Sequence, residues 1–528
     1  MQKMKKGDYC DMLKNKWCKV VLCFLALVMV LSCFALTACT PSDPNTPDNP
    51  DTPDNPDPPG DTRLPLSLPE KNYGDAEFHV AEWSAGGLTQ TGGAGWLPWV
   101  EIAVNEEDYD QADIISSEVY DRNLVVEEKY GVRITTEYLS YDTDQYVQKL
   151  RSNNSTGDDL WQLVTQRSVD LQTPVEENLL LDMKADEYSD IFHFDQPWWV
   201  QDSVKSFTLG DHLYAASSEL LLRDKGATAA CFYNQTVAEN HGITQLYDLV
   251  REGKWTMEEM ITMCESVMGD GDGDDKISSG KDMWGIVGTR DPMYYLFNSF
   301  GQKFGEMDDA GYLEFTFGSS KSVTVMQDIL SKIMYREGVY LNTHYNKNKT
   351  DETLGKVFLT DHALFSLNYL KAVLSFREME SLYGIIPMPK YDELQEDYSS
   401  LVWVHHDCLV SIPAVTADPE MSAIILEALS YESYYTVYPA FYDVVLMNRS
   451  TRDDESKEML EIIFRTRSYD PGQYWVKAKA SGRELHGQTG LMQMQENNST
   501  DVVSTLAIFQ NAIDECVKKV NEWVDQHY

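Results

Sequence analysis

The hydrophobic pattern between residues 76 and 166 changes period repeatedly, and that alternation limits the folds open to the chain. Residues 77–81 (EFHVA) read as a strand. Residues 114–130 read as a helix, with Ile115, Val119, Leu124 and Val126 at loosely helical spacing. Gly131 stops it, because glycine closes a helix in the left-handed conformation at no steric cost. Residues 132–138 (VRITTEY) alternate as a strand, a second helix begins across 146–151, and residues 160–165 form a short apolar strand. Strand, helix, strand, helix, strand describes an α/β fold with largely parallel pairing. Residues 227–233 form a further apolar run ending at Asn234. Thr256 with Glu259 three residues later is a capping box that opens a helix. Met257, Met260, Ile261, Cys264 and Val267 share one face of it, which places Cys264 in a core.

The amino-terminal region cannot join such a layer. Lys3, Lys5, Lys6, Lys14, Lys16 and Lys19 precede an apolar run over residues 20–35. That run is short for a membrane span, which needs about 20 apolar residues, and a charged start with small residues at its end describes a secretory signal. Leu36-Thr37-Ala38-Cys39 resembles the lipobox of bacterial lipoproteins. The resemblance implies removal of residues 1–38 and lipidation of Cys39 with palmitate-type chains. It also implies a protein anchored on the extracytoplasmic face of the cell membrane, and more than one chain is needed for stable anchoring. Residues 40–62 read TPSDPNTPDNPDTPDNPDPPGDT. Proline removes backbone donors and the aspartates repel, so no core can form there. With the lipidated cysteine, residues 39–63 are expected to be a tether, which at about 3 Å per residue reaches roughly 70 Å.

From residue 64 onward the chain is long enough for two or three domains. Acidic residues number 85 against 43 Lys and Arg, for a formal charge of −42. Such a body repels nucleic acid, so no nucleic-acid partner is expected. Four cysteines lie in the signal and one is Cys39; Cys231, Cys264, Cys408 and Cys516 remain, without a CxxC pair. They are expected to be buried free thiols rather than a disulfide scaffold or zinc site.

Three segments carry a resemblance that covers residues 73–475. They are residues 246–260 (LYDLVREGKWTMEEM), 383–395 (YGIIPMPKYDELQ) and 431–442 (YESYYTVYPAFY). In this order behind a lipobox, the chain resembles extracellular solute-binding proteins of ABC transporters, of the carbohydrate type (family 1). The resemblance implies a two-lobed, type II periplasmic-binding-protein-like α/β fold with a hinge and an interlobe cleft. On it, the first lobe comprises residues 64–230 and 404–475, the second 231–403, and 476–528 is a helical extension with nothing diagnostic in it. The implied function is capture of a small solute, an oligosaccharide, by a monomer that serves ABC transporter permease subunits and requires no cofactor. The first interlobe crossing falls near 229–233 and the return strand near 401–411.

Sugar rings offer apolar C–H faces and a rim of hydroxyls, which flat aromatics and planar polar groups satisfy. The chain has 12 Trp and 30 Tyr. Ligands of open α/β sheets sit beyond the carboxyl ends of strands and between domains. Trp83, Gln166 and Arg167 lie just past strands of the first lobe. Asn298, Phe300, Asn368 and Tyr369 lie in or after apolar runs of the second. Trp403, His405 and Asp407 alternate along the return strand. These ten are the candidate ligand contacts, with Trp83 and Tyr369 stacking from opposite sides.

Residues 270–278 (DGDGDDKIS) place carboxylates at alternate positions of a tight loop, a pattern suited to Ca²⁺. Asp270, Asp272, Asp274, the Lys276 carbonyl and Asp282 are the expected ligands of a structural ion. The pattern departs from the usual one at its sixth position, Asp275, and at its twelfth, Lys281. His405 and His406 point to opposite faces of a strand and so do not share a metal. No HExxH, GxSxG or phosphate-cradling loop is present, and no catalytic residues are expected. A glycosidase needs only two carboxylates in a cleft, so a surface glycoside hydrolase or lyase is the rival reading. An adhesive scaffold that never closes on a ligand is a third.

Overall fold

The computed structural model of the chain describes residues 63–83, 100–104, 113–139, 143–288, 291–341, 356–447, 454–487 and 489–527. The expected signal segment, Cys39 and the spacer through residue 62 lie outside these residues. The body is one compact unit, Pro65–Tyr528. Among the described residues no helix is long and apolar enough to cross a membrane.

Strand β1 (Ala76–Trp83) pairs in parallel with β2 (Val132–Leu139) on one side and with β3 (Leu163–Gln166) on the other. Helices α1 (Ile114–Tyr130) and α2 (Thr143–Thr156) supply the crossovers that parallel pairing requires. Asp113 caps α1 by accepting from Ile115 N, and Gly131 closes it at φ +63°. A Cβ at Gly131 would also fall 2.6 Å from Asn72 Oδ1. β3 starts later than its apolar run, because Gln162 turns its side chain to accept from His79 N at 2.7 Å. A fourth strand, Leu409–Ser411, joins this sheet antiparallel to β3, so the sheet is built from two distant stretches of chain.

The second sheet is mixed. β4 (Ala229–Asn234) lies antiparallel between Tyr383–Ile386 and Ala363–Tyr369, and Trp284–Gly288 and Val339–Leu341 continue the sheet in parallel. The helix Met257–Val267 starts as its capping box predicts, with Thr256 accepting from Glu259 N, and Cys264 is buried on its inner face. Cys231 and Cys408 are buried free thiols too, whereas Cys516 is only half-buried.

Three chain segments meet side by side between the sheets. Thr228 bridges Val402, Trp403 N donates to Ala227 O at 3.1 Å, and Ser400–Leu401 pairs in parallel with Arg467–Ser468. The expected return strand is broken here. Residues 404–406 form a turn, held by His406 N and Asp407 N donating to Trp403 O at 2.9 and 3.0 Å. The period-2 alternation of Trp403, His405 and Asp407 is therefore not that of a strand.

Two expected boundaries move. Helix Asp454–Arg465 packs on the second lobe, where Tyr247 Oη meets Ser456 Oγ at 3.0 Å and Arg251 pairs with Glu455 and Glu458. That helix interrupts the first-lobe stretch expected over 404–475, and residues beyond it return to the first lobe, where Tyr469 N donates to Asp202 Oδ2 at 2.6 Å and Tyr474 Oη to Ser206 O at 2.9 Å. The expected helical extension begins as a hairpin, Lys479–Ala480 against Arg483–Glu484, and only Leu491–Glu496 and Val502–His527 are helical. The last helix buries Leu506, Phe509, Ile513 and Val520, and Asn521 bonds both backbone groups of Leu313.

Candidate ligand-binding site

β1 and β3 run in register, Val80 opposite Leu163 and Ala81 opposite Val164, so their carboxyl ends reach one edge. Trp83 and Arg167 meet there. The Arg167 guanidinium lies 4.6 Å from the Trp83 ring centroid and that of Arg223 lies 5.4 Å away. Arg223 also donates to Trp83 O at 2.8 Å. Trp83 is buried, and the two guanidinium groups occupy the ring that was expected to stack on a sugar. Arg167 is in turn fixed by Asp170, Nε to Oδ2 at 2.7 Å. Gln166 is buried between Ser411 Oγ and Tyr146 Oη. Asp407 is fully buried, accepts from Ser168 N at 3.0 Å, and is pushed up to about 8 by burial. It pins the return segment to the first lobe rather than facing a ligand.

The second-lobe candidates are likewise committed. Asn298 bonds Ser468 Oγ at 3.1 Å and accepts from Ser399 Oγ at 2.7 Å. Phe300 is buried against Tyr391. Tyr369 donates to Asp291 Oδ2 at 3.0 Å and meets Tyr295 and His406 edge-on. The physical reason is common to all: helix Pro292–Ser299, buried along its whole length, and the crossing segments cover these strand ends. Asn368 is half-buried, with its Oδ1 accepting from Tyr369 N.

A cavity of about 420 Å³ opens beside the broken return segment. Of the expected residues it gathers Trp403 and His405, with Val169 and Asp170 from the loop after β3. Its other wall is Gln473, Lys477, Lys479, Glu484 and His486. Trp403 packs on Tyr294 and Tyr295 of the second lobe at 5.1 and 5.8 Å between centroids. Tyr294 Oη also donates to His486 O at 3.0 Å. Two residues of its wall, Trp403 and His486, thus touch the second lobe. His486 Nε2 faces Gly472 O at 3.0 Å, and a carbonyl only accepts, so that nitrogen carries the proton. Burial lowers this imidazole to about 4, so it is neutral at pH 7, and its buried Nδ1 remains an open acceptor. The carboxyl-terminal wall was missed in sequence because the signal is short. Buried Val476, Ala478 and Leu485 interleave with polar neighbours over a few residues only.

The crossing segments also hold a buried ion cluster. Arg467 reaches Asp224 at 2.7 Å and Glu219 at 2.6 Å, and Lys225 reaches Glu219 at 2.7 Å. Burial would lower the Arg467 pKa, but Glu219 and Asp224 outweigh it and hold the guanidinium well above its ordinary value.

The acidic loop lies apart from the cavity in sequence and in lining. Asp270, Asp272 and Asp274 are exposed and bring carboxylate oxygens within 4.8 Å of one another. Asp275, where glycine is usual, adopts φ +61°. Lys276 N donates to Asp274 Oδ1. Asp282 does not join the cluster as expected. It is buried and accepts from Gly271, Ser278 and Ser279 amides at 3.0, 2.8 and 2.6 Å, which hold it at about 2 although burial alone would raise it. Its role is to clamp the loop's ends.

The sequence profile of the bacterial extracellular solute-binding proteins matches residues 126–436, more than half of the chain. The chain belongs to that family. Among solved structures, this solute-binding protein is similar to UspC of M. tuberculosis at 12% identity, covering 83% of this chain and 99% of that one, with a TM-score of 0.51. A cyclo/maltodextrin-binding protein complexed with maltotetraose matches at 13% identity, over 85% of this chain and 97% of that one, with a TM-score of 0.49. The ABC substrate-binding protein Lmo0181 of Listeria monocytogenes, in complex with cycloalternan, matches at 10% identity, over 85% and 99% of the two chains, with a TM-score of 0.47. Comparison with curated protein sequences gives no significant match. The solute-binding protein therefore has the two-lobed α/β architecture that its sequence resemblance implied, and its place is outside the cytoplasm.

Proposed function

We propose that this solute-binding protein captures an oligosaccharide in the cavity under Trp403 and delivers it to the permease subunits of an ABC importer. The observation that carries this reading is a cavity lined by polar groups and bordered by Trp403, whose indole packs on Tyr294 and Tyr295 of the second lobe. Gln473, His405, Lys477 and Lys479 line the cavity beside Trp403 and suit the hydroxyls of a sugar. A ligand touching both lobes shifts the open–closed balance through its differential contacts. The carboxylates lining the cavity favour a receptor over a hydrolase. Asp170 is paired with Arg167 and Glu484 with Lys479, so neither is poised as a proton donor. Calorimetric titration with a ladder of oligosaccharides, followed by product analysis, tests this: stoichiometric heat without product is expected, and turnover would replace the receptor with the enzyme.

The same proposal includes the membrane anchor at Cys39. A Cys39→Ser chain is expected to appear in the medium or to remain unprocessed, checked by fractionation and mass spectrometry. A normally processed, membrane-bound variant would remove the anchor from the account. It also includes a structural Ca²⁺ on Asp270, Asp272 and Asp274. Chelation is expected to lower the melting temperature and Ca²⁺ to restore it, without altering ligand preference. Identical melting curves with and without chelator contradict that assignment.

A further inference from the structure

The charge of the cavity is out of keeping with the rest of the molecule. Across the chain acidic residues outnumber Lys and Arg 85 to 43. The cavity is lined by two lysines and two histidines against two carboxylates. Both carboxylates are already neutralised: Asp170 by Arg167 at 2.7 Å and Glu484 by Lys479 at 2.6 Å. Lys477 is the remaining charge. Among the described residues no carboxylate lies within ion-pair distance of its Nζ, and its surface is exposed at the cavity wall.

We infer that the solute is an anionic oligosaccharide whose ring carboxylate or sulfate is held by Lys477 at the cavity wall while a neighbouring sugar ring sits beside Trp403. This rests on the proposed receptor function and narrows its ligand. A strongly acidic body repels an anion at long range, so an anionic ligand requires a local cation at the point of contact. Lys477 supplies one; desolvation by the packed protein around it lowers its pKa, against the opposing pull of Asp170 and Glu176. A partly desolvated ammonium gains more from a bound anion than a hydrated one does. The hydroxyls of the same ligand meet the Gln473 side chain, whose Nε2 donates to Asp470 at 3.1 Å and whose carbonyl oxygen accepts. A wholly neutral ligand would leave Lys477 facing an uncharged surface and forfeit part of its hydration.

The test is a calorimetric comparison on the mature chain of three probes of matched length: trigalacturonate, a sulfated chondroitin oligosaccharide and maltotriose. At low salt at least one charged probe is expected to bind about tenfold or more tighter than maltotriose, the range for one charge-assisted contact. The carboxylate and sulfate probes tell which anion is preferred. The preference is expected to shrink in high salt, to vanish in Lys477→Gln and to survive in Lys477→Arg. Equal or tighter binding of maltotriose overturns this inference and leaves the receptor reading standing. A charged preference that persists in Lys477→Gln overturns the assignment to Lys477. Failure of all three probes to bind removes both.

Discussion

Arg467→Met is expected to destabilise the protein by about 3–5 kcal/mol, the usual result of removing one partner from a buried ion cluster. Arg467 is paired with Asp224 and Glu219, and all three side chains are buried. Removing it leaves two carboxylates facing Lys225 alone, and the second negative charge has nowhere to go. The change would consume much of the stability of a typical domain, about 5–15 kcal/mol. Chemical denaturation measures it directly. Adding Glu219→Gln should recover part of the loss, because it removes the charge that Arg467 no longer balances. A cost below 1 kcal/mol, or no recovery in the double variant, would mean that the cluster does not hold the crossing segments.

Trp403→Ala is expected to weaken oligosaccharide binding about thirtyfold or more, the cost of truncating a central aromatic anchor. The same indole is packed on Tyr294, Tyr295 and His405 and is only 2% exposed, so the variant will also lose stability. Burying less of an aromatic of this size typically costs 3–5 kcal/mol. Trp403→Phe separates the two effects. It keeps most of the packing and should restore the melting temperature more fully than the affinity. Unchanged affinity in Trp403→Ala, measured below its melting temperature, would place the ligand elsewhere.

The strands and helices of the first sheet were legible because each has a local cause. Gly131 ends a helix by taking a positive φ, and the alternation over 132–138 appears as β2 paired along its whole length with β1. The capping box at Thr256 works the same way. The site was less legible because its residues are set by long-range packing. Trp83 had the right position, past a parallel strand, but Arg167 and Arg223 come from residues 84 and 140 positions away to cover it. Asn298 lies on a helix buried along its whole length and Phe300 directly follows it, so the apolar run that held them is core. Trp403 and His405 were expected from a strand's alternation, whereas a turn brings them to the cavity wall. Lys477 and His486 follow the last recognisable segment and carry no motif; only the fold brings them opposite Asp170.

A solute held between the lobes is expected to close them. Small-angle X-ray scattering of the mature chain, with and without a saturating oligosaccharide that calorimetry shows to bind, tests it most directly. The account predicts a smaller radius of gyration in the bound state, with the decrease lost in Trp403→Ala at the same ligand concentration. A bound protein with the same radius of gyration as the free one would contradict it.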